Sequence, residues 1–313
     1  MAKRRFAAID LGTNAILLLI AEIEESGAYQ VLADLAEITR LGEGVDRTCR
    51  IAPEGEERSI KTLRAYLDRY KSLGADEIAA VGTSALRDAR NAADFIARLK
   101  DELDLDLRVL SGEEEASYSY LAVQRGLALG GSEALVVDVG GGSTEFIWAK
   151  EGRLYRWASL DMGSVRLTER FLLSDPALEG ECARLSETVD RELEGLLDRW
   201  GRKMSCQVMV GIAGTFTTLA AVAKGLARYS HSEVHASVLG RAEVARQARL
   251  FMAKTIAERR EIPGLEPKRA DVILAGALLI ERIMALFHMD EVIVSDQGIR
   301  YGLLYERIAH SRQ

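Results

Sequence analysis

Cysteine is scarce in this sequence, and the few thiols are poorly spaced for pairing. The three cysteines stand at positions 49, 182 and 206 of 313 residues. An odd number without paired spacing argues against a disulfide framework or a zinc knuckle, and is typical of reduced thiols in a cytoplasm. We therefore predict a cytoplasmic location. The four histidines, at 231, 235, 288 and 310, form no triad-like or metal-ligand pattern.

Long apolar runs and export signals are also missing. The apolar run nearest the start, 15–21, is far shorter than the roughly 20 residues that cross a bilayer. The opening MAKRRFAAID is basic but has no signal-peptide core or cleavage site. We expect neither insertion into a membrane nor export.

Basic residues are fewer than acidic ones: the sequence has 41 Lys and Arg residues and 48 Asp and Glu residues, for a formal net charge of −7. General nucleic-acid binding needs a basic face, so we expect no DNA partner. An anionic substrate is still compatible with this charge if its site is locally basic or uses a metal. The sequence leaves a homodimer open.

No Pro/Gly/Ser-rich linker marks a domain boundary, but a repeat does. An apolar strand that ends in aspartate, a glycine-containing turn and a second strand occur twice, as AAIDLGTNAILLL (7–19) and LVVDVGGGSTEFI (135–147). Each copy starts a mixed α/β half. We predict an internal duplication with two α/β domains around a central cleft, 1–130 with a final helix at 298–313, and 131–297.

The repeated turns suit phosphate binding. Glycines let successive backbone N–H groups point outward and form a concave donor nest for phosphate oxygens. An aspartate at the strand end, Asp10 or Asp138, can hold a divalent cation beside the nest. One copy alone is equally typical of an ordinary hairpin turn, whereas two copies favour phosphate. A P-loop lysine is absent, and the second turn leads into a strand, which excludes a Rossmann fingerprint.

A third turn, in GIAGTFTTLA (211–220), has the pattern of a strand followed by a turn and a helix. Gly211, Gly214 and Thr215 would face a phosphate or nucleotide at the helix N-terminus. Alone this is a weak signal, since glycines at such turns are frequent.

The acidic segment SGEEEA (111–116) predicts a helix start. Ser111 and Glu114 fit a capping box, and Glu113 favours the positive end of the helix. Glu115 is not needed for the cap. A carboxylate beside other carboxylates tends to hold its proton more tightly, which suits a general base, and a solvated first-turn acid is the alternative interpretation.

Eight motifs span nearly the whole chain. They are DLGTN (10–14), GTSALRDARN (82–91), SGEEEA (111–116), DVGGGSTE (138–145), DMGSVRLTE (161–169), GIAGTFTTLA (211–220), RADVILAGA (269–277) and VSDQGIRYG (294–302). With these motifs in this order, the chain resembles the exopolyphosphatase/guanosine pentaphosphate phosphohydrolase family, whose fold is that of actin, sugar kinases and heat-shock chaperone ATPases.

The resemblance implies a cofactor, Mg²⁺ or Mn²⁺, and roles for single residues. Glu115 matches the family's catalytic acid, Asp138 the metal-linked aspartate, and Glu145 a second acid that positions water or metal. Arg87 matches a phosphate-binding arginine, for which a surface ion pair is the alternative. The opposing phosphate loops correspond to Asp10, Gly12, Thr13 and Asn14, and to Gly140, Gly141, Gly142, Ser143 and Thr144.

The implied activity is release of terminal phosphate from inorganic polyphosphate, with the 5′ phosphate of guanosine pentaphosphate as the alternative substrate. A same-fold ATPase or kinase and a non-hydrolytic polyphosphate or alarmone sensor are further alternatives. Three positions depart from the family pattern: Ala15 replaces a serine, Ile299 a leucine and Tyr301 an acid. Longer members also carry a C-terminal helical extension, so we expect substrate binding here to rely on phosphate contacts, which favours polyphosphate.

Overall fold

The computed structural model describes residues 4–129, 131–201 and 206–310. The chain divides into two compact units, Met1–Ala122 with Gly298–Gln313, and Val123–Gln297. Each unit is built on its own mixed sheet. No helix in the described ranges is long and apolar enough to cross a membrane.

The first unit is built on a five-stranded sheet in the order β3-β2-β1-β4-β5. Strands β1 (Arg4–Leu11), β2 (Ala15–Ile23) and β3 (Tyr29–Ile38) form an antiparallel meander. Strands β4 (Glu77–Gly82) and β5 (Leu107–Val109) continue the sheet parallel to β1. The helices of this unit are α1 (Val45–Thr48), α2 (Pro53–Ser72), α3 (Ser84–Asp88), α4 (Ala92–Leu103), α5 (Gly112–Gly126), within which the chain passes from the first unit to the second, and α13 (Ile299–His310).

The middle of strand β1, 6–9, is a continuous apolar run because both faces of the sheet are covered there. Ala7, Ile9 and Leu11 join one core cluster, with residues of α2 and α4. Phe6 and Ala8 point to the opposite face and pack in a second cluster with α13. Alternate side chains of a strand face opposite ways, so a strand buried on both faces becomes a continuous apolar run.

The second unit repeats the strand order of the first. Its antiparallel meander is β6 (Ala134–Val139), β7 (Thr144–Lys150) and β8 (Arg153–Leu160), and β9 (Val208–Ile212) and β11 (Glu291–Val294) extend the sheet as parallel strands. A short strand, β10 (Ser237–Gly240), is added antiparallel at the β11 edge. The order β8-β7-β6-β9-β11 therefore matches β3-β2-β1-β4-β5. This confirms the predicted duplication and the two actin-like domains.

Helices cover this sheet as well. They are α6 (Ser164–Phe171), α7 (Glu179–Trp200), α8 (Ala213–Ala223), α9 (His231–Val234), α10 (Arg241–Met252), α11 (Ile256–Arg259), a 3-10 turn (Pro267–Arg269) and α12 (Ile273–Leu286). Helix α10 ends at Met252, and Thr255 and Glu258 form a capping box that starts α11 as a separate helix. Helix α12 begins at Ile273, after the 3-10 turn.

Candidate functional site

The turn between β1 and β2 presents backbone donors at the carboxyl end of β1. The N–H of Gly12 donates to the carbonyl of Ala15 at 3.0 Å and closes the turn. No acceptor within the described ranges binds the N–H groups of Thr13 and Asn14. The amide side chain of Asn14 is buried, at 6% exposure, and neither its oxygen nor its nitrogen has a hydrogen-bond partner there. Buried polar groups of this kind are normally satisfied, so this turn fits an external ligand.

The carbonyl groups of the same turn are held from the other side. The Thr13 carbonyl accepts from the N–H of Gly42 at 2.8 Å. The Asn14 carbonyl accepts from the N–H groups of Thr39 and Arg40, at 3.1 and 2.9 Å. These three bonds, all from the segment after β3, fix the orientation of the turn. Asp10, 8% exposed, lies just before the turn, in strand β1.

The turn between β6 and β7 repeats this arrangement. The N–H of Gly140 donates to the carbonyl of Ser143 at 3.1 Å, and in the part of the chain that the structure describes the N–H groups of Gly141, Gly142 and Ser143 find no acceptor. Gly142 and Ser143 are buried. Thr144 differs from its neighbours, because its hydroxyl donates to the Met162 carbonyl. Its side chain is therefore already engaged within the protein.

The two predicted acids of this turn lie side by side. Asp138 on β6 and Glu145 on β7 are directly opposed partners of the antiparallel pair, 9% and 2% exposed. Ser159 on β8 donates a hydrogen bond of 2.8 Å to a Glu145 carboxylate oxygen. Like charges directly opposite each other destabilise a strand pair, so a bound cation would suit this position. The described residues contain no group of three or more His, Cys, Asp or Glu side chains arranged to hold a metal.

The third turn lies at the end of β9, beside the second. Asp138 is the register partner of Ile212, and α8 starts at the next residue, Ala213, which has a positive φ of 71°. Gly211 and Thr215 also have packing roles: a Cβ at Gly211 would lie 2.3 Å from the Phe216 ring, and Thr215 packs against Gly276. The start of α8 supplies free helix N–H groups, which suit an anion.

Arg269, from the 3-10 turn Pro267–Arg269, packs against this third turn, although it was not among the residues predicted from the sequence. A Cβ at Gly214 would lie 2.3 Å from both terminal nitrogens of Arg269, so the guanidinium lies against the first turn of α8. Burial lowers the pKa of Arg269, and the charges of Glu266 and Tyr229 act in the opposite direction. The only sequence signal was its place at the start of the RADVILAGA motif.

In the first unit, the predicted phosphate-binding arginine contacts the predicted base. Arg87 on α3 forms an ion pair with Glu115 on the first turn of α5. The same terminal nitrogen of Arg87 donates to the Leu110 carbonyl at 2.9 Å. The Glu115 side chain is 6% exposed and that of Arg87 25%. Glu115 is therefore not a solvated first-turn acid, and its charged partner here is a cation, where the sequence suggested neighbouring carboxylates.

The capping box at the start of α5 is confirmed. The Glu114 carboxylate accepts from the Ser111 N–H at 2.8 Å, and the Ser111 hydroxyl accepts from the Glu114 N–H at 3.2 Å. Arg108 on β5 also contacts Glu114, and its other terminal nitrogen donates to the Tyr118 hydroxyl at 3.0 Å. These bonds lower the pKa of Glu114, with the Ser111 N–H as the largest cause. Glu114 fixes the helix start and leaves Glu115 facing inward.

The structure brings the predicted residues together in two sets. In the first unit, β1, β4 and β5 end side by side at Leu11, Gly82 and Val109, which places the first turn, α3 and the start of α5 at one sheet edge. In the second unit, the ends of β6 and β9 join the second and third turns. That the two sets face each other across a cleft stays a prediction.

Two sheets of the same strand order, each with a donor turn at the end of its first strand, define a protein of the actin-like fold. The chain belongs to the Ppx/GppA phosphatase family, whose model matches residues 19–311. It is thus a phosphoanhydride hydrolase. It is 36% identical over 315 residues to Exopolyphosphatase 2 of Mycobacterium tuberculosis, covering 97% of this chain and 98% of that protein.

Solved structures agree with this assignment. The Aquifex aeolicus member of the Ppx/GppA family is 34% identical, with a TM-score of 0.83 over 100% of both chains. An exopolyphosphatase from Cytophaga hutchinsonii is 27% identical, with a TM-score of 0.89 over 98% of both chains. These relatives confirm the resemblance on which the sequence interpretation rested.

Proposed function

We propose that this enzyme is an exopolyphosphatase, which hydrolyses the terminal phosphoanhydride bond of inorganic polyphosphate with Mg²⁺ or Mn²⁺. The observation that carries the proposal is the buried contact between Glu115 and Arg87, at the same sheet edge as the first donor turn. Relatives named exopolyphosphatase match this chain over nearly their whole length.

The donor turns suit the substrate's phosphates. The free N–H groups of Thr13 and Asn14, and those of Gly141, Gly142 and Ser143, can donate to phosphate oxygens. Such contacts recognise the charge and the tetrahedral shape of a phosphate group, and they do not recognise a nucleotide base. They therefore suit a polymer of identical phosphate units.

Glu115 is the proposed general base. An adjacent guanidinium favours the ionised form of a carboxylate, which is the form that accepts a proton. Glu115 would take a proton from water as the water oxygen attacks the terminal phosphorus. The bond from that phosphorus to the bridging oxygen then breaks, releasing orthophosphate and a chain shorter by one unit. Arg87, which contacts Glu115, would hold an oxygen of the same phosphate.

Asp138 and Glu145 are the residues that would hold the metal. Mg²⁺ is commonly bound by one or two carboxylates together with substrate phosphates and water, so a two-acid set is sufficient. The directly opposed carboxylates fit a divalent cation, which would offset their mutual repulsion. When bound, the cation would neutralise charge on the phosphate oxygens.

A phosphate-release assay tests this proposal. The enzyme is given polyphosphates of several lengths, guanosine pentaphosphate and ATP, each with Mg²⁺, with Mn²⁺ or with EDTA. We expect the highest kcat/KM with polyphosphate, no release with EDTA, and a KM that rises with salt because the contacts are ionic. A preference for guanosine pentaphosphate would make the enzyme an alarmone hydrolase. Preference for ATP would indicate an ATPase, and binding without release a sensor.

A further inference from the structure

Helix α6 holds the second donor turn through three successive carbonyl groups. The carbonyl of Gly140 accepts from the N–H of Ser164 (3.0 Å), that of Gly141 from the N–H groups of Val165 (2.9 Å) and Arg166 (3.1 Å), and that of Gly142 from the Nε–H of Arg166 (2.7 Å). The first turn of a helix has N–H groups without partners in the helix. Here they bind the turn.

This attachment decides where the turn's own donors point. In a trans peptide the C=O and the following N–H point in opposite directions. Because the carbonyls of Gly140, Gly141 and Gly142 point at α6, the N–H groups of the residues that follow point away from it. These are the N–H groups of Gly141, Gly142 and Ser143, the ones without an acceptor in the described chain.

Arg166 is the side chain on which the third peptide depends. The backbone of α6 reaches the first two carbonyls, whereas the Gly142 carbonyl is bound by the Arg166 side chain. Arg166 is buried, at 9% exposure. Gly163 permits the close approach: a Cβ there would lie 2.2 Å from the carbonyl carbon and oxygen of Gly141, and its φ of −111° requires no glycine.

We infer that Arg166 is a positioning residue, which orients the Gly142–Ser143 peptide so that the turn presents three converging N–H groups to phosphate. The inference rests on the proposed phosphate site. Arg166 acts through the turn, and its removal would free the Gly142 carbonyl to rotate and carry the Ser143 N–H with it.

Arg259 offers a matched control. It is a buried arginine of the same unit, 3% exposed, and its Nε–H also donates 2.7 Å to a backbone carbonyl, that of Phe251. A second bond of 3.2 Å reaches the carbonyl of Ala270. Loss of either arginine should lower the melting temperature. A change in phosphate binding should follow only the loss of Arg166.

The experiment measures binding of inorganic orthophosphate, in the presence of Mg²⁺, to the full-length protein by calorimetry. Orthophosphate is not turned over, so the result is independent of catalysis. We expect Arg166→Met to weaken binding about tenfold, the size of one hydrogen bond to a charged group, and Arg166→Lys to weaken it less. Arg259→Met should bind within about twofold of the wild type at a comparable loss of Tm.

A spectrum of glycine-labelled protein gives a second measurement. Amide signals of Gly141 and Gly142 should shift when orthophosphate is added to the wild type and to Arg259→Met, and should shift little in Arg166→Met. Wild-type-like affinity in Arg166→Met, equal losses in both variants, or no binding by the wild type would overturn the inference. If Arg166→Met does not fold, Arg166→Lys decides: unchanged affinity and unchanged shifts would refute it. Failure of the wild type to hydrolyse polyphosphate would refute the proposed function alone.

Discussion

The guanidinium of Arg87 contacts the carboxylate of Glu115, and both groups lie at the carboxyl edge of the first sheet. Arg87 is held by α3 and Glu115 by α5, and the Leu110 carbonyl fixes the arginine between them. The proposed phosphate-binding cation and the proposed base for water are thereby placed next to each other. Such an arrangement would suit attack on a phosphorus atom whose oxygens Arg87 binds.

Glu115 should matter for rate and Glu114 for stability. Glu115→Gln keeps size and hydrogen bonding but removes the basic carboxylate, so kcat should fall by roughly 100- to 10,000-fold with near-normal folding and substrate binding. Glu114→Gln should keep most activity, since glutamine also serves in a capping box. Steady-state phosphate release and thermal melts of both variants check this. If kcat falls equally in both variants, or if Glu115→Gln keeps the wild-type rate, another residue activates the water. Glu145 would then be tested next.

Arg87 should bind substrate through geometry as well as charge. A guanidinium can hold two phosphate oxygens at once, which the lysine ammonium cannot. We expect Arg87→Lys to lower kcat/KM about tenfold or more, as for one charged hydrogen bond lost, with little change in Tm. Arg90→Lys, an exposed position just after α3, is the control and should keep its activity. If Arg87→Lys keeps the wild-type rate, the role of Arg87 is limited to its ion pair with Glu115 and does not include bidentate binding of phosphate.

Asp138 should set the metal requirement. Asp138→Asn removes one of the two opposed charges, so the variant should need more Mg²⁺ for half-maximal activity, or be inactive, while remaining folded. A Mg²⁺ titration of polyphosphate hydrolysis measures this. Asp101→Asn, at an exposed position of α4, should titrate like the wild type. Full activity of Asp138→Asn at low Mg²⁺ contradicts the assignment.

Features written in local sequence were predictable. The repeated strand, glycine turn and strand gave the two meanders, because each depends on neighbouring residues only. The Ser111–Glu114 capping box was likewise visible, since its spacing of three is fixed by helix geometry. Strand β10 was not predicted, because it has only four residues, too few for an alternating pattern. It also lies at the edge of the sheet, where Val238 is 57% exposed.

Long-range contacts of the site could not be predicted in the same way. Arg269 meets Gly214 across 55 positions of sequence, and Arg166 meets Gly142 across 24. Nothing in the local pattern of either arginine indicates which backbone group it will face. The partner of Glu115 was missed for the same reason: the neighbouring acids are close in sequence, whereas Arg87 is brought to it by the pairing of β4 with β5.

Acid should remove the stabilising effect of Glu114. Its carboxyl has a lowered pKa in the folded protein, chiefly through the bond from the Ser111 N–H. The Glu114 carboxyl therefore binds a proton more readily in the unfolded chain than in the folded one. Its contribution to the free energy of unfolding is fully present above the unfolded pKa of about 4.3 and is lost as the pH falls through the folded pKa. The difference in Tm between the wild type and Glu114→Gln should accordingly be largest near neutral pH and shrink as the pH falls below about 4. Glu113→Gln, at an exposed position of the same turn, removes a charge near the helix N-terminus but leaves the capping box intact, so at neutral pH its Tm should differ from that of the wild type by less than that of Glu114→Gln does. Thermal melts from neutral to acidic pH measure all three proteins, and a Glu114→Gln difference that stays constant would show that its charged hydrogen bonds do not stabilise α5.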